Sequence, residues 1–326
     1  MPWIDPEFPK TATPADWVGR VLGLNPGMMT GPGTNTYLVG DREPILIDTG
    51  VGVAGWMPLL ETYMAERGWR KPARVLLTHR HKDHLGGVKD LLTQFPGTPV
   101  SKMIHKDTDL PAGITDLRDG QKVEADGVTL VPIHTPGHAS DHLCYYVPET
   151  RALFTGDVVL GGSTTVIPEE DGDLVQYMAS LRRIQKLNVE RIYPAHGPVI
   201  ENAKARIQEY IDHRLERERQ ILAVMGAGTR TIPEMVKVIY KDVPEALHLM
   251  AGQSVHSHLK KLAAENRVRE EKVSGAASRW RSCRSRSLSV TGGSARLAAI
   301  PTAARPPARP SSPTTATGSS TCTTGR

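Results

Sequence analysis

The chain has 326 residues, 39% of them hydrophobic, enough for one large domain and a smaller one. Its formal charge of +5 is unevenly placed: from Val273 to Arg326 there are eight arginines and no Asp, Glu or Lys, and without them 32 basic residues face 35 acidic ones, a net of −3. That balance removes any global electrostatic case for a polyanionic partner. The lack of an apolar run of about eighteen residues argues against a transmembrane helix, and no membrane partner is expected.

In chain order, RVLGLN (20–25) and TNTYLVG (34–40) read as strands joined by the turn-rich PGMMTGPG. EPILID (43–48) is a short apolar run ending in Asp48. WMPLLETYMAER (56–67) fits a helix, ARVLL (73–77) a buried strand and GGVKDLLTQF (86–95) another helix. Strands follow at about 100–104, 121–124 and 128–134, then HLCYYV (142–147), with Cys144 a buried strand residue, and ALFTG (152–156). LVQYMASLRRIQKL (174–187) is a strong helix, and ERIYPAHG a final strand and loop. Strands thus come in two batches with helices interspersed, which predicts two sheets packed face to face with helices outside.

After Gly197 the pattern becomes helical. A long charged helix, two further helices and the short extended RVREEKV resemble a winged-helix module. Such modules bind nucleic acid or serve as packing and dimerisation elements; a homodimer is compatible with this one. The last segment is rich in Arg, Ser, Pro and Thr with few large apolar residues. It is expected to be disordered, because it buries too little area to offset ordering entropy. Its composition is also that of an out-of-frame extension of a GC-rich gene, and no function is read from it. The expected organisation is an N-terminal extension (1–18), a main domain (19–200), a winged-helix-like module (201–272) and a dispensable tail (273–326). The N-terminus has no basic segment followed by an apolar stretch, so no signal peptide is expected and the compartment is expected to be cytoplasmic. Cys144, Cys283 and Cys322 form no C-x-x-C pair and cannot make a disulfide framework.

The stretch LLTHRHKDHLGG (76–87) carries the chemistry. Imidazoles at i and i+2 at a strand end point the same way, so His79 and His81 can grip one metal. The chain then turns into a helix, which aims Asp83 and His84 at a second position, and Gly86 and Gly87 let that backbone start close by. Burying these side chains unpaired would be costly; coordination to cations removes the cost. Single ligands are expected downstream at strand ends: His138 after T-P-G, Asp157 in FTGDVV and His196 in YPAHG, with Asp48 upstream. His134 and His142 read as strand-end histidines that support the site. Arg80 and Lys82, between the ligands, read as facing solvent. Thr164 and Thr165 follow Asp157 closely and are expected to line a substrate pocket.

H-x-H-x-D-H, then T-P-G-H, G-D and a last strand-end His, resembles the metallo-β-lactamase superfamily over about residues 20–200. NPGMMTGPGTNTYLVG, TPGHASDH, YPAHGPVIENA and HLKKL resemble one subfamily in particular, extending the likeness to about residue 270. It comprises the animal β-lactamase-like protein 2, a single-strand endoribonuclease, its bacterial relatives, and fungal thioesterases. The resemblance implies an α+β, four-layer αββα sandwich (the metallo-β-lactamase fold) with a winged-helix-like module. It also implies a dinuclear centre: His79, His81 and His138 on one metal, Asp83, His84 and His196 on the other, Asp157 bridging, and Asp48 orienting a ligand imidazole. With nitrogen and oxygen donors and no sulfur, two Zn²⁺ per chain are expected; manganese or iron suits the same set.

The implied activity is that of a metal-dependent hydrolase using a metal-bridging hydroxide, with Asp83 also accepting the proton. Small acyl substrates (thioester, ester or lactone) are favoured over RNA, because only Arg80 and Lys82 lie near the ligands and both are expected to point outward. The alternatives are a single-strand endoribonuclease and a promiscuous β-lactam hydrolase. A β-lactam as main substrate is disfavoured, because the antibiotic enzymes either use a cysteine ligand or lack a bridging aspartate.

Overall fold

The computed structural model describes residues 3–105, 111, 113–272 and 278–283. Among these residues the first sheet runs in sequence order: β1 (Thr11–Ala15), β2 (Val18–Leu22), β3 (Asn35–Val39), β4 (Ile45–Ile47), β5 (Arg74–Leu76), β6 (Val100–Lys102) and β7 (Ile114–Asp116). β1 to β4 pair antiparallel through short turns, and β4 to β7 pair parallel. Parallel neighbours need a crossover. α1 (Trp56–Glu66) supplies it between β4 and β5; α2 (Lys82–Leu85) and α3 (Val88–Gln94) supply it between β5 and β6.

The second sheet contains β8 (Val123–Ala125), β9 (Val128–His134), β10 (Leu143–Val147), β11 (Ala152–Gly156) and β12 (Arg191–Pro194). Its spatial order is β12-β11-β10-β9-β8, antiparallel except for β11 and β12, which α4 (Leu174–Gln185) connects. Tyr37, Ile47, Leu76, Leu130, Tyr145 and Phe154 fill the space between the sheets. Trp56, Leu60, Val88 and Leu91 of α1 and α3 cover the outer face of the first sheet. Tyr177, Leu181 and Ile184 of α4 and Ile207 of α5 (Ala203–Gly226) cover the second. β2, β3 and β4 are buried at every residue because both faces are covered, so they read as apolar runs rather than alternations. The layers are αββα, as expected.

α5 leaves the sandwich and enters a second core. Its Ile221 and Met225 pack with Met235 of α6 (Ile232–Ile239), Val255 and Leu259 of α7 (His248–Ala264), Val268 of β13 (Val268–Glu271) and Trp280 of β14 (Arg279–Ser282). A 3₁₀ turn, Glu245–Leu247, precedes α7. β13 and β14 pair antiparallel as the strands of a wing.

Two expected boundaries are corrected. The N-terminal extension is not outside the main domain: β1 pairs with β2, with Thr11 opposite Val21. The tail does not begin at 273. Arg279–Ser282 are a strand of the wing, and Trp280 is only 2% exposed, so an indole in a hydrophobic core overrides the low-complexity look of its neighbours. Residues 273–277 and 284–326 of the expected tail lie outside the described residues. The helix expected over 86–95 is α3, Val88–Gln94, and a separate short helix, α2 (Lys82–Leu85), precedes it inside the histidine motif. Gly86 and Gly87 lie between them because the backbone passes so close that a Cβ would sit 2.5 Å from Val51 O and 2.3 Å from Thr49 O. No helix among the described residues is long and apolar enough to cross a membrane.

Candidate metal centre

The predicted ligands converge at one edge of the sandwich because each follows a strand. Asp48 comes after β4, His79 after β5, His138 after β9, Asp157 after β11 and His196 after β12. Residues 81–84 round the N-terminus of α2, with His81 extended (φ −64°, ψ 145°) before the first turn.

At one end of the cluster, His81 Nδ1 lies 2.9 Å from His79 Nε2 and 3.0 Å from His138 Nε2. At the other, Asp83 Oδ2 lies 3.4 Å from both His84 Nε2 and His196 Nε2. Asp157 spans the two: Oδ2 is 3.4 Å from His138 Nε2, while Oδ1 is 3.2 Å from His196 Nε2 and 3.6 Å from His84 Nε2. The potential ligand atoms fall into three groups of three, His79–His81–His138, His79–His84–Asp157 and Asp83–His84–His196, each within 4.8 Å.

The outward-facing nitrogens are tied down. His138 Nδ1 donates to Val166 O (2.7 Å), His196 Nδ1 faces Gly33 O (3.3 Å), and His84 Nδ1 donates to Asp48 Oδ2 (2.8 Å). With Nδ1 carrying the hydrogen, the Nε2 of each ring offers a lone pair to the centre. Asp48 also accepts from the Thr78 N–H (2.7 Å) and hydroxyl, which holds its carboxylate in place. His84 Nε2 and Asp157 Oδ1, facing each other, are buried with no hydrogen-bond partner among the described residues. Orphaned buried acceptors of this kind, in an all-nitrogen-and-oxygen donor set, fit a divalent cation.

The electrostatics divide the same way. Burial, reinforced by neighbouring imidazoles, holds His79 well below the usual imidazole range and His81 at about 4. Burial also opposes charge on His84 and His196, yet the facing carboxylates outweigh it: His84 is pushed well up and His196 to about 9. Burial works against ionisation of Asp83 and Asp157, but His84 and His196 hold both below the usual carboxylate range. The carboxylate end therefore demands positive charge, which protons or a cation can supply in competition.

His142 and His134 each bond neighbouring backbone. His142 Nε2 accepts the Asp157 N–H (3.1 Å), and His134 Nε2 donates to Ser140 O (2.9 Å). Gly156 makes that approach possible: it adopts φ +48°, and a Cβ there would sit 2.5 Å from His142 Nε2. Lys102 of β6 and Asp141, both fully buried, pair between the first sheet and the loop that follows His138. Arg80 bonds Asp171 (3.1 Å) and Lys82 is exposed.

A cavity of about 510 Å³ opens onto His81, Asp83, His138, Asp157 and His196. Thr164 and Thr165 both line it. The Thr165 hydroxyl donates to Asp157 O (2.7 Å), which braces the loop. The winged-helix module supplies much of the remaining wall, including Arg214, Arg217, Tyr240 and Met250. These residues were not anticipated. One signal was present: Arg214 continues the buried stripe Ile207–Tyr210–Ile211 of α5, where an apolar residue is the default. Ser257 of α7 donates to Ile167 O and Arg214 to Thr165 O, so the module also holds the loop that seats His138.

Comparison with known proteins bears on both parts. A family model of the metallo-beta-lactamase superfamily matches residues 29–196, and one of the beta-lactamase associated winged helix domain matches 231–280. A protein named atrochrysone carboxyl ACP thioesterase, from Aspergillus chevalieri, is 40% identical over 285 residues, spanning 84% of this chain and 90% of its own. A beta-lactamase-like protein 2 homolog from Caenorhabditis elegans is 39% identical over 260 residues, spanning 78% and 86%. The crystal structure of a beta-lactamase domain protein from Burkholderia ambifaria superposes with a TM-score of 0.72 at 19% identity, over 84% of this chain and 93% of that one, and so shares the fold.

Proposed function

Because the chain belongs to the metallo-β-lactamase superfamily and is a hydrolase of that kind, we propose that it hydrolyses small acyl thioesters or esters with two divalent cations, zinc by default, held by these side chains. His79, His81 and His138 would hold one, Asp83, His84 and His196 the other, and Asp157 both. The observation that carries the reading is the placement of the Asp157 carboxylate, one oxygen toward His138 and the other toward His84 and His196. The cations would polarise the scissile carbonyl and ease deprotonation of the attacking water.

The chain's own groups account for the rest. Asp83 is the cluster carboxylate most open to the cavity, with 27% of its side chain exposed, and is held ionised by His84 and His196. It accepts the proton from the attacking water. Asp48 and Gly33 O fix the His84 and His196 rings, and His142 fixes the Asp157 backbone. The apolar wall of Leu160, Val166 and Met250 takes the acyl chain and keeps water from it. The relative named as a thioesterase supports an acyl substrate. RNA cleavage and promiscuous β-lactam cleavage stay as alternatives.

The test is hydrolysis of a neutral acyl thioester by metal-loaded protein, beside nitrocefin and a labelled single-stranded RNA. Saturable thioester turnover that changes little with salt is expected. Efficient, strongly salt-sensitive RNA cleavage with no thioester turnover would replace this reading by the endoribonuclease one.

A further inference from the structure

The α5 wall of the cavity carries positive charge that the described residues do not neutralise. Arg214 is 4% exposed. Its guanidinium lies 5.2 Å from the Tyr177 ring centroid and bonds Thr165 O, while its Nε is buried without a partner. Arg217, one turn on, lies 4.0 Å over the Tyr240 ring and, among the described residues, bonds only the neutral Gln220 (2.8 Å), its Nε likewise buried and unpartnered. Neither is in an ion pair among the described residues; of the acids of α5, Asp212 accepts from Gln208 and the three glutamates are engaged by other cations. Glu209 pairs with Arg206, Glu216 with Arg219, and Glu218 with Lys261 and Arg267. Two guanidiniums stacked on aromatic rings, one nearly buried, both facing one cavity, make a costly arrangement unless an anion completes it.

We propose that this wall is an anion subsite, in which Arg214 and Arg217 hold a carboxylate or phosphate of the substrate while its scissile acyl carbon sits among the imidazoles and carboxylates. The inference rests on the acyl-hydrolase reading above and narrows it to anionic acyl substrates. Planar, pre-stacked guanidiniums suit the paired oxygens of such groups. The residues between the two ends, Leu160, Val166 and Met250, suit an apolar spacer. The anion has two chemical sources: a carboxylate on the acyl chain, or a phosphate on the carrier from which the acyl group is released.

Calorimetric titration of the metal-loaded full chain with naphthalene-2-sulfonate, a poor metal ligand, and with the neutral methyl 2-naphthyl sulfone tests the subsite directly. The sulfonate is expected to bind roughly ten- to a hundredfold more tightly than the sulfone, as for hydrogen bonds to a charged group. Arg217→Gln should bring that ratio close to one, and Arg217→Lys should restore part of it. Arg217 is only half-buried, so its variants serve where Arg214→Gln does not fold. Equal affinities in the parent protein, or a ratio indifferent to Arg217→Gln, overturns the subsite. Displacement of the sulfonate by a single-stranded oligonucleotide with a steep salt dependence overturns it in favour of a nucleic-acid occupant. Kinetics separate the sources: the glutaryl against the pentanoyl thioester of N-acetylcysteamine probes the acyl end, and pentanoyl phosphopantetheine against pentanoyl pantetheine probes the carrier end. The pair whose discrimination collapses in Arg217→Gln identifies the source. Thioester turnover without sulfonate preference sinks the subsite alone. Arginine-dependent sulfonate binding without any thioester turnover sinks the acyl-hydrolase reading alone.

Discussion

The two sides of the cavity are built on different principles. On the sandwich side, polar side chains sit at the ends of buried strands, and their positions follow from where each strand stops. His79, His138, Asp157 and His196 come from four different strands and meet because those strands end at one edge. On the module side, Arg214, Arg217 and Tyr240 sit on or just beyond helices and reach the cavity only because α5 runs from one core into the other. The strand-end site is over-determined by a rigid scaffold, with His84, Asp48 and Thr78 bonded in series. The helical wall depends on docking. A change on the first side should remove chemistry, and a change on the second should alter stability or selectivity.

Losing the Asp157 carboxylate should have the largest effect. Asp157→Ala should lose the cation at the Asp83–His84–His196 end and reduce kcat/KM by about 10³-fold or more, since polarisation by a cation is worth several kcal/mol. Elemental analysis and kinetics on folded protein check it; full metal content with normal turnover would show that another carboxylate bridges.

The second breaks the other side. Trp280→Ala should destabilise the module by about 3–5 kcal/mol, as for a buried aromatic truncated in a core. A chain ending at Lys272, which deletes β14, should unfold at a clearly lower temperature than one ending at Cys283. Identical melting curves for the two would mean that the wing contributes nothing.

A smaller effect is expected within the strand-end site. Asp48→Asn keeps the shape but weakens the grip on His84 Nδ1, and metal affinity should fall about 10- to 100-fold while the Tm of the winged module stays put. Competition with a chromogenic chelator measures it.

The smallest concerns pH. Burial, then Arg214, holds His258 in the module core down at about 3. The unfolded state takes up a proton below about 6.5 while the folded state excludes it, so stability falls as pH drops through that value and continues to fall toward 3. Between pH 6.5 and 5.5 the slope from this group approaches about 1.4 kcal/mol per unit, and His258→Gln should flatten it. A denaturation series across that window that is unchanged by the substitution would rule His258 out as the source.

The sandwich and the clustering of polar side chains at its strand ends are legible in local sequence. Strand period and apolar runs announce buried strands, and a strand end places the next side chain at the sheet's edge whatever the rest of the chain does. His79, His138, Asp157 and His196 were therefore legible one by one as members of a cluster, with His81, Asp83 and His84 following His79 in a single motif; Asp48 bonds His84 Nδ1. Packing alone sets the two oxygens of Asp157 toward opposite ends of the cluster, seats Trp280 in a core, and turns Arg214 and Arg217 to the same cavity as the histidines. An arginine on a helix reads as a solvated charge unless its neighbours are known. Those neighbours, Tyr177 for Arg214 and the loop at Thr165, lie tens of residues away in sequence, brought together by packing rather than by any local pattern.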